Sequence, residues 1–150
     1  VGEYTYTADD FLEEREFPDT VAYAVPYALG VPYRCLVPKK IDNLLLACRC
    51  ISVTPGQTTS GPAKGAYNHL KSMTSCMTYG QAAGTAAALC VKTGVTPRKL
   101  DIELLQRTLT EQGALVEPRV LKGLRSQGLQ ELSDLFSYSG DTAKTRDQCG

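Results

Sequence analysis

The sequence lacks an excess of charge of either sign and lacks a long hydrophobic run. Sixteen lysines and arginines balance sixteen aspartates and glutamates, so the formal net charge is zero. This balance gives no electrostatic support for binding to nucleic acid or to an anionic membrane surface. No apolar stretch approaches the roughly 20 residues of a transmembrane helix, and no signal peptide is evident. The composition is that of an ordinary soluble globular chain and does not exclude a small anionic cofactor.

The sequence also lacks the pattern of a disulfide-stapled or metal-binding domain. Six cysteines are present, but Cys48, Cys50 and Cys90 lie in apolar or small-residue segments, where a free thiol behaves as a small hydrophobe. We therefore expect reduced thiols and a cytoplasmic location. Cys48 and Cys50 form a C-x-C pair and His69 is the only histidine, whereas structural zinc needs a second ligand pair. No metal site is predicted.

The first half of the chain carries local structural signals. Thr7-Ala-Asp-Asp10 predicts a capping box that opens a short helix through Glu16. Residues 18–40 are rich in proline and tyrosine, which favours extended segments and turns. The apolar run of residues 44–48 predicts a strand buried on both faces, as in a parallel sheet. Residues 54–66 are predicted to form a loop.

The clearest element is a predicted helix over residues 75–92, with Gly94 just past its end. Gly80, Gly84 and Ala88 follow each other at intervals of four, so one helix face has almost no side chains. Two glycines inside a helix cost about 1 kcal/mol each relative to alanine. Close approach by a backbone or by a flat ligand would offset that cost.

The last third of the chain is predicted to be helical and then irregular. Asp101 is expected to cap a helix that ends at Gly113, and Pro118 suits the first position of a further leucine-rich helix. Residues 137–150 are polar and are expected to form a frayed tail.

Arg49 at the end of the predicted strand suggests a binding site. In α/β sheets ligands bind at the carboxyl ends of strands, and a helix N-terminus supplies free N–H donors and partial positive charge. These residues alone point to a site for an electron-rich or anionic group near Arg49 and the start of the helix. Plain packing of sheet and helix through small residues explains the same pattern, and both interpretations stay open.

Two motifs give the sequence a resemblance to a known family. VPYRCLVPKKIDNLLLACRCIS at residues 31–52 and SCMTYGQAAGTAAA at residues 75–88 are similar to the C-terminal part of the FAD-dependent oxidoreductases, and the likeness extends over about residues 30–115. In that family the segment returns to the FAD-binding domain after the substrate domain. The resemblance implies an α/β fold: a partial, Rossmann-like FAD-binding domain, represented by its C-terminal strand and helix, with an α-helical C-terminal extension.

The resemblance also implies site residues, but no catalytic residue is assigned. Arg49 and Ser52 would border the flavin, and the helix side of the pocket would be formed by Gly80, Gln81, Ala82, Ala83, Gly84 and Thr85. Two departures matter. The glycine loop G-x-G-x-x-G that cradles the FAD pyrophosphate is missing, so the FAD site is expected to be incomplete in this chain. Cys48 stands where the family has glycine. Tyr79 is expected to fill core rather than to stack on the flavin.

The resemblance implies a fragment or small subunit of an FAD-dependent oxidoreductase. A partner chain that carries G-x-G-x-x-G, or a homo-oligomer, would complete it. The alternative is a non-catalytic scaffold or interaction subunit that has lost its cofactor. The expected divisions are the end of a substrate-domain-like region (1–30), the FAD-domain part (31–96), the helical extension (97–136) and the tail (137–150).

Overall fold

The computed structural model describes residues 1–24, 29–55 and 66–116, without the side chains of Asn68 and His69. Within them the fold is mixed α/β. Four α-helices and two strands follow one another in the order α1 (Ala8–Leu12), β1 (Thr20–Ala24), β2 (Leu29–Pro32), α2 (Ala66–Leu70), α3 (Met73–Thr93) and α4 (Ile102–Glu111). Short 3-10 turns lie at Tyr33–Cys35, Cys48–Cys50 and Pro97–Lys99.

The N-terminal helix α1 confirms the predicted capping box. The Thr7 hydroxyl accepts a hydrogen bond from the Asp10 backbone, and the Asp10 carboxylate accepts one from the Thr7 backbone. The helix ends at Leu12 rather than at Glu16, because Glu14 has a φ of 47°, outside the helical region.

The sheet is a two-stranded antiparallel pair in which Thr20 lies opposite Pro32 and Ala24 opposite Leu29. Every residue of both strands is buried, and α3 and α4 pack on β1. The extended structure predicted for the proline- and tyrosine-rich segment is therefore confirmed in its described part.

The buried parallel strand predicted over residues 44–48 is wrong. Residues 44–47 form no strand, Leu44 is 43% exposed, and the 3-10 turn begins at Cys48. The physical reason lies at the two ends of the run, where Asn43 and Cys48 have φ values of 57° and 54°. These left-handed residues turn the backbone at both ends of the run, so the extended conformation is not continued into a strand on either side.

Helices α3 and α4 confirm the strongest helical predictions. Gly94 ends α3 with a φ of 71°, and Tyr79 is completely buried in the core as expected. The Asp101 carboxylate caps α4 by accepting hydrogen bonds from the backbone of Glu103 and Leu104.

The further helix expected from Pro118, the tail at 137–150 and most of the loop at 54–66 lie outside the described residues. None of the helices in the described part of the chain is long and apolar enough to cross a membrane.

Candidate functional site

Arg49 lies beside the start of α3, but it belongs to a 3-10 turn and does not end a strand as predicted. Its Nε donates a hydrogen bond to the carbonyl oxygen of Lys71 over 3.1 Å, and Lys71 directly precedes Ser72, the N-cap of α3. The 3-10 turn Cys48–Cys50 thus holds the guanidinium against the first turn of the long helix. Arg49 is exposed, so its guanidinium is accessible to a ligand.

The start of α3 is electropositive. Its first turn contains no acidic side chain, and Arg49 and the exposed Lys71 add two formal charges to the positive end of the helix dipole. The Ser72 hydroxyl accepts a hydrogen bond from the backbone N–H of Ser75, which satisfies one of the free donors of the first turn. This end of the helix suits an electron-rich or anionic group.

The glycine face of α3 is open. Apart from the adjacent residues and the backbone of the helix itself, no described atom lies within 4 Å of the position that a Cβ on Gly80 or on Gly84 would occupy. Large apolar side chains continue the same face at both ends of the helix: Met73, Met77 and Val91 are 77%, 74% and 85% exposed. The face is therefore exposed along the helix, and room for close approach exists around Gly80 and Gly84.

The remaining predicted helix residues lie on other faces of α3. Ala82 and Ala83 are buried in the core. The Thr85 hydroxyl donates to the side-chain oxygen of Gln112 over 3.0 Å, and the Gln81 amide reaches the same oxygen over 3.4 Å. Gln81 and Thr85 thus join α3 to the end of α4, whereas the two alanines seat α3 on the sheet side.

Ser52 is separated from the open face by its own contacts. It is buried, and its hydroxyl lies 2.9 Å from that of Thr5. Its backbone N–H donates to the Cys35 carbonyl, and its carbonyl accepts from the Tyr6 backbone. Ser52 therefore lies where the N-terminal segment crosses the residues that follow the Cys48–Cys50 turn.

A second cluster of charges, which no sequence pattern indicates, lies elsewhere on the molecule. Arg34 makes a bidentate ion pair with Asp19, with Nε–Oδ2 and Nη2–Oδ1 distances of 2.9 and 3.0 Å, and this pairing raises the pKa of Arg34. Arg98 pairs with Glu3 and Asp42. Arg34, Asp19, Arg98 and Glu3 line a cavity of about 420 Å³ whose lining contains none of the predicted flavin residues. Both guanidinium groups are already neutralised there.

Comparison with protein families finds a match over residues 23–109 to the family described as FAD dependent oxidoreductase. The matched segment is more than half of the chain. It runs from β1 to the last turns of α4 and includes all eight predicted site residues. No curated protein and no solved structure matches the chain.

Proposed function

The chain belongs to the FAD-dependent oxidoreductase family, and from that membership we propose that it contributes the flavin-facing helix of such an enzyme, as a fragment or small subunit. The observation that carries the proposal is the open glycine face of α3 beside Arg49. The proposed fold is the C-terminal part of a Rossmann-like FAD-binding domain, with a helical extension after about residue 97.

The described residues fit a flavin in shape and in charge. A planar ring needs a surface without projecting side chains, and Gly80 and Gly84 supply one. The ring system becomes electron-rich when reduced, and Arg49 and the N-terminal end of α3 supply positive charge. Gly80 lies one helical turn beyond Cys76, so the glycine face begins where the Arg49 turn packs on the helix.

In this proposal each residue has a physical role. When bound, FAD supplies the redox chemistry, hydride transfer to or from a small-molecule substrate. Arg49 would bind the negative charge of the reduced flavin, and Gly80 and Gly84 would permit close contact between the helix and the flavin ring. Gln81 and Thr85 position α3 against α4, and Ala82 and Ala83 fix its depth on the core. Ser52 would support the segment that follows the Arg49 turn rather than contact the flavin, because its hydroxyl, N–H and carbonyl are already engaged.

The remainder of the FAD site would come from residues beyond this sequence. No two glycines here have the G-x-G spacing of the pyrophosphate loop. A partner chain that carries that loop, another part of a longer polypeptide, or a second copy of the chain would supply further contacts. The exposed Met73, Met77 and Val91 support this idea, because a contiguous apolar surface commonly marks an interaction site.

The test uses the tagged chain, isolated from its own source together with the proteins that accompany it. Two arginine variants are compared with the unaltered chain. We expect Arg49→Gln to lower the flavin released on denaturation, per mole of chain, by at least about fivefold, since a charge-assisted contact is worth about 1.5–3 kcal/mol. Arg107→Gln on the exposed face of α4 is the matched control and should release as much flavin as the unaltered chain. Equal flavin content in all three preparations would refute the role of Arg49.

A second candidate function is a non-catalytic scaffold that has lost its cofactor. The observation that favours it is Cys48, which carries a side chain at a left-handed backbone position beside the proposed site. If this side chain obstructs the flavin, Cys48→Gly should raise flavin affinity in a titration of the complex. Unchanged affinity would rule out Cys48 as the obstruction.

A further inference from the structure

Three cysteines gather at the start of α3. Cys48 and Cys50 lie in the 3-10 turn and are exposed, and Cys76 lies in the first turns of the helix and is half-buried. The Cys48 Sγ is 3.9 Å from the carbonyl oxygen of Cys76, and the Cys76 Sγ is 3.7 Å from the carbonyl oxygen of Lys71. Arg49 donates to that same Lys71 oxygen. The thiols and the guanidinium therefore form one cluster.

The other described cysteines differ from this cluster. Cys35 and Cys90 are buried, and burial raises the pKa of the Cys35 thiol to about 12. Such thiols are inert because the thiolate is the reactive form. Within the described residues no group of three or more histidine, cysteine, aspartate or glutamate side chains is arranged to hold a metal ion. Cys48 and Cys76 are not fully buried, and the Cys48 thiol lies against the backbone of Cys76.

We propose that Cys48 and Cys76 are a dithiol site that hydrogen peroxide oxidises reversibly to an intramolecular disulfide. The exposed Cys48 thiolate attacks one peroxide oxygen, so that an S–O bond forms, the O–O bond breaks, and hydroxide leaves and is protonated to water. The Cys76 thiolate then attacks the Cys48 sulfur, the S–S bond forms, and the oxygen leaves as a second water. Two thiols are oxidised, and one peroxide is reduced to two waters.

The surroundings of the two thiols indicate that peroxide oxidises Cys48 and that Cys76 then attacks it. Cys48 is open to a solvent-borne oxidant, whereas Cys76 is partly covered. Burial raises the pKa of the Cys76 thiol, Cys48 and Cys50 raise it further, and Arg49 opposes them. Cys76 is therefore the slower thiol toward peroxide, and its nearness to Cys48 makes it the resolving partner.

The bridge would pin the Arg49 turn to the first turns of α3. It would join residues that are 28 positions apart and lie on either side of the loop at 54–66. A cross-link over such a loop restricts the unfolded chain, so the oxidised protein should unfold at a higher urea concentration than the reduced protein. The inference concerns the same end of α3 as the proposed flavin site, but it needs no bound flavin.

Peptide mapping of the full chain tests the proposal. The reduced protein is treated with equimolar hydrogen peroxide, alkylated and digested with trypsin without reduction. Trypsin cuts after Arg49, which places Cys48 and Cys50 on different peptides, while Cys76 and Cys90 share the peptide 72–92. We expect a cross-link between the Cys48 peptide and that peptide, lighter by two hydrogens than its reduced parts and reversed by dithiothreitol.

Serine variants identify the two cysteines that form the disulfide bridge. It should vanish in Cys48→Ser and in Cys76→Ser and persist in Cys50→Ser and in Cys90→Ser, and circular dichroism should show the same helix content throughout. A bridge to Cys50, Cys90 or Cys149, a bridge between two chains, or oxidation of Cys48 to sulfinic acid without a bridge would overturn the proposal. The readout is a mass, so its failure is distinguishable from a failure to release flavin.

Discussion

Cys48 has a backbone conformation that is unusual for a residue other than glycine. It adopts a φ of 54°, a region that costs an L-residue with a Cβ about 1–2 kcal/mol and costs glycine almost nothing. Cys50, in the same turn and equally exposed, has no such positive φ. The two cysteines therefore form a natural pair for measuring the cost of that backbone conformation.

We predict that Cys48→Gly raises the free energy of unfolding by about 0.5–1 kcal/mol, because the relieved backbone strain exceeds the extra entropy of glycine in the unfolded chain. Cys50→Gly should lower it by about 0.5–1 kcal/mol, since only the entropy cost remains. Urea unfolding in reducing buffer measures both. If the two variants are destabilised equally, the strain at Cys48 is not real.

Tyr6 and Tyr33 form a second residue-scale pair. Both rings are buried, but the Tyr33 hydroxyl donates to the Pro97 carbonyl over 3.0 Å, whereas the Tyr6 hydroxyl has no partner within the described residues. We predict that Tyr33→Phe lowers stability by about 1 kcal/mol, while Tyr6→Phe is neutral or stabilises by up to about 1 kcal/mol. Urea unfolding at neutral pH distinguishes them, and an equal loss in both variants would contradict the assignment.

The same tyrosines predict sensitivity to alkali. Burial raises the pKa of Tyr6 above its usual value near 10, and the negative charge of Asp10 adds to the shift. The unfolded chain therefore releases this proton first, so the stabilisation is complete below about pH 10 and declines as the pH rises further. Tyr6→Phe should make the stability fall less steeply between about pH 9 and 11. Identical slopes for Tyr6→Phe and the unaltered chain would refute this.

At the scale of the element, α3 carries glycines of two opposite kinds. Gly84 is helical with open space around it, and Gly94 has a φ of 71° at the end of the helix. We predict that Gly84→Ala stabilises the chain by up to about 1 kcal/mol through helix propensity, and that Gly94→Ala destabilises it by about 1 kcal/mol. Thermal unfolding of the two variants gives the sign of each effect. A destabilising Gly84→Ala would show that the face is occupied within the chain.

The elements also show which signals could be read from the sequence. Helix starts at Thr7 and Asp101 and the helix end at Gly94 are set by side chains and backbone freedom within a few residues, so they could be predicted. The strand expected at 44–48 failed because apolar content alone does not report the left-handed residues that bound it.

At the scale of the molecule, the juxtaposition of Arg49 with the start of α3 could be predicted, but the place of Ser52 could not. One hydrogen bond, from Arg49 to the Lys71 carbonyl, joins the first motif to the start of the glycine helix. Ser52 is buried because the N-terminal segment crosses it, with Tyr6 bridging to Val53 and Thr5 meeting the Ser52 hydroxyl. Such pairing joins residues almost fifty positions apart and leaves no periodic trace in the sequence.

The central claim is that the open face of α3 and Arg49 form part of a flavin site. The most direct test is the flavin content of the chain isolated from its own source with its natural companions, measured as visible absorbance of the supernatant after denaturation. We expect a yellow complex that releases about one flavin for each copy of this chain. A colourless complex that releases no flavin would contradict it.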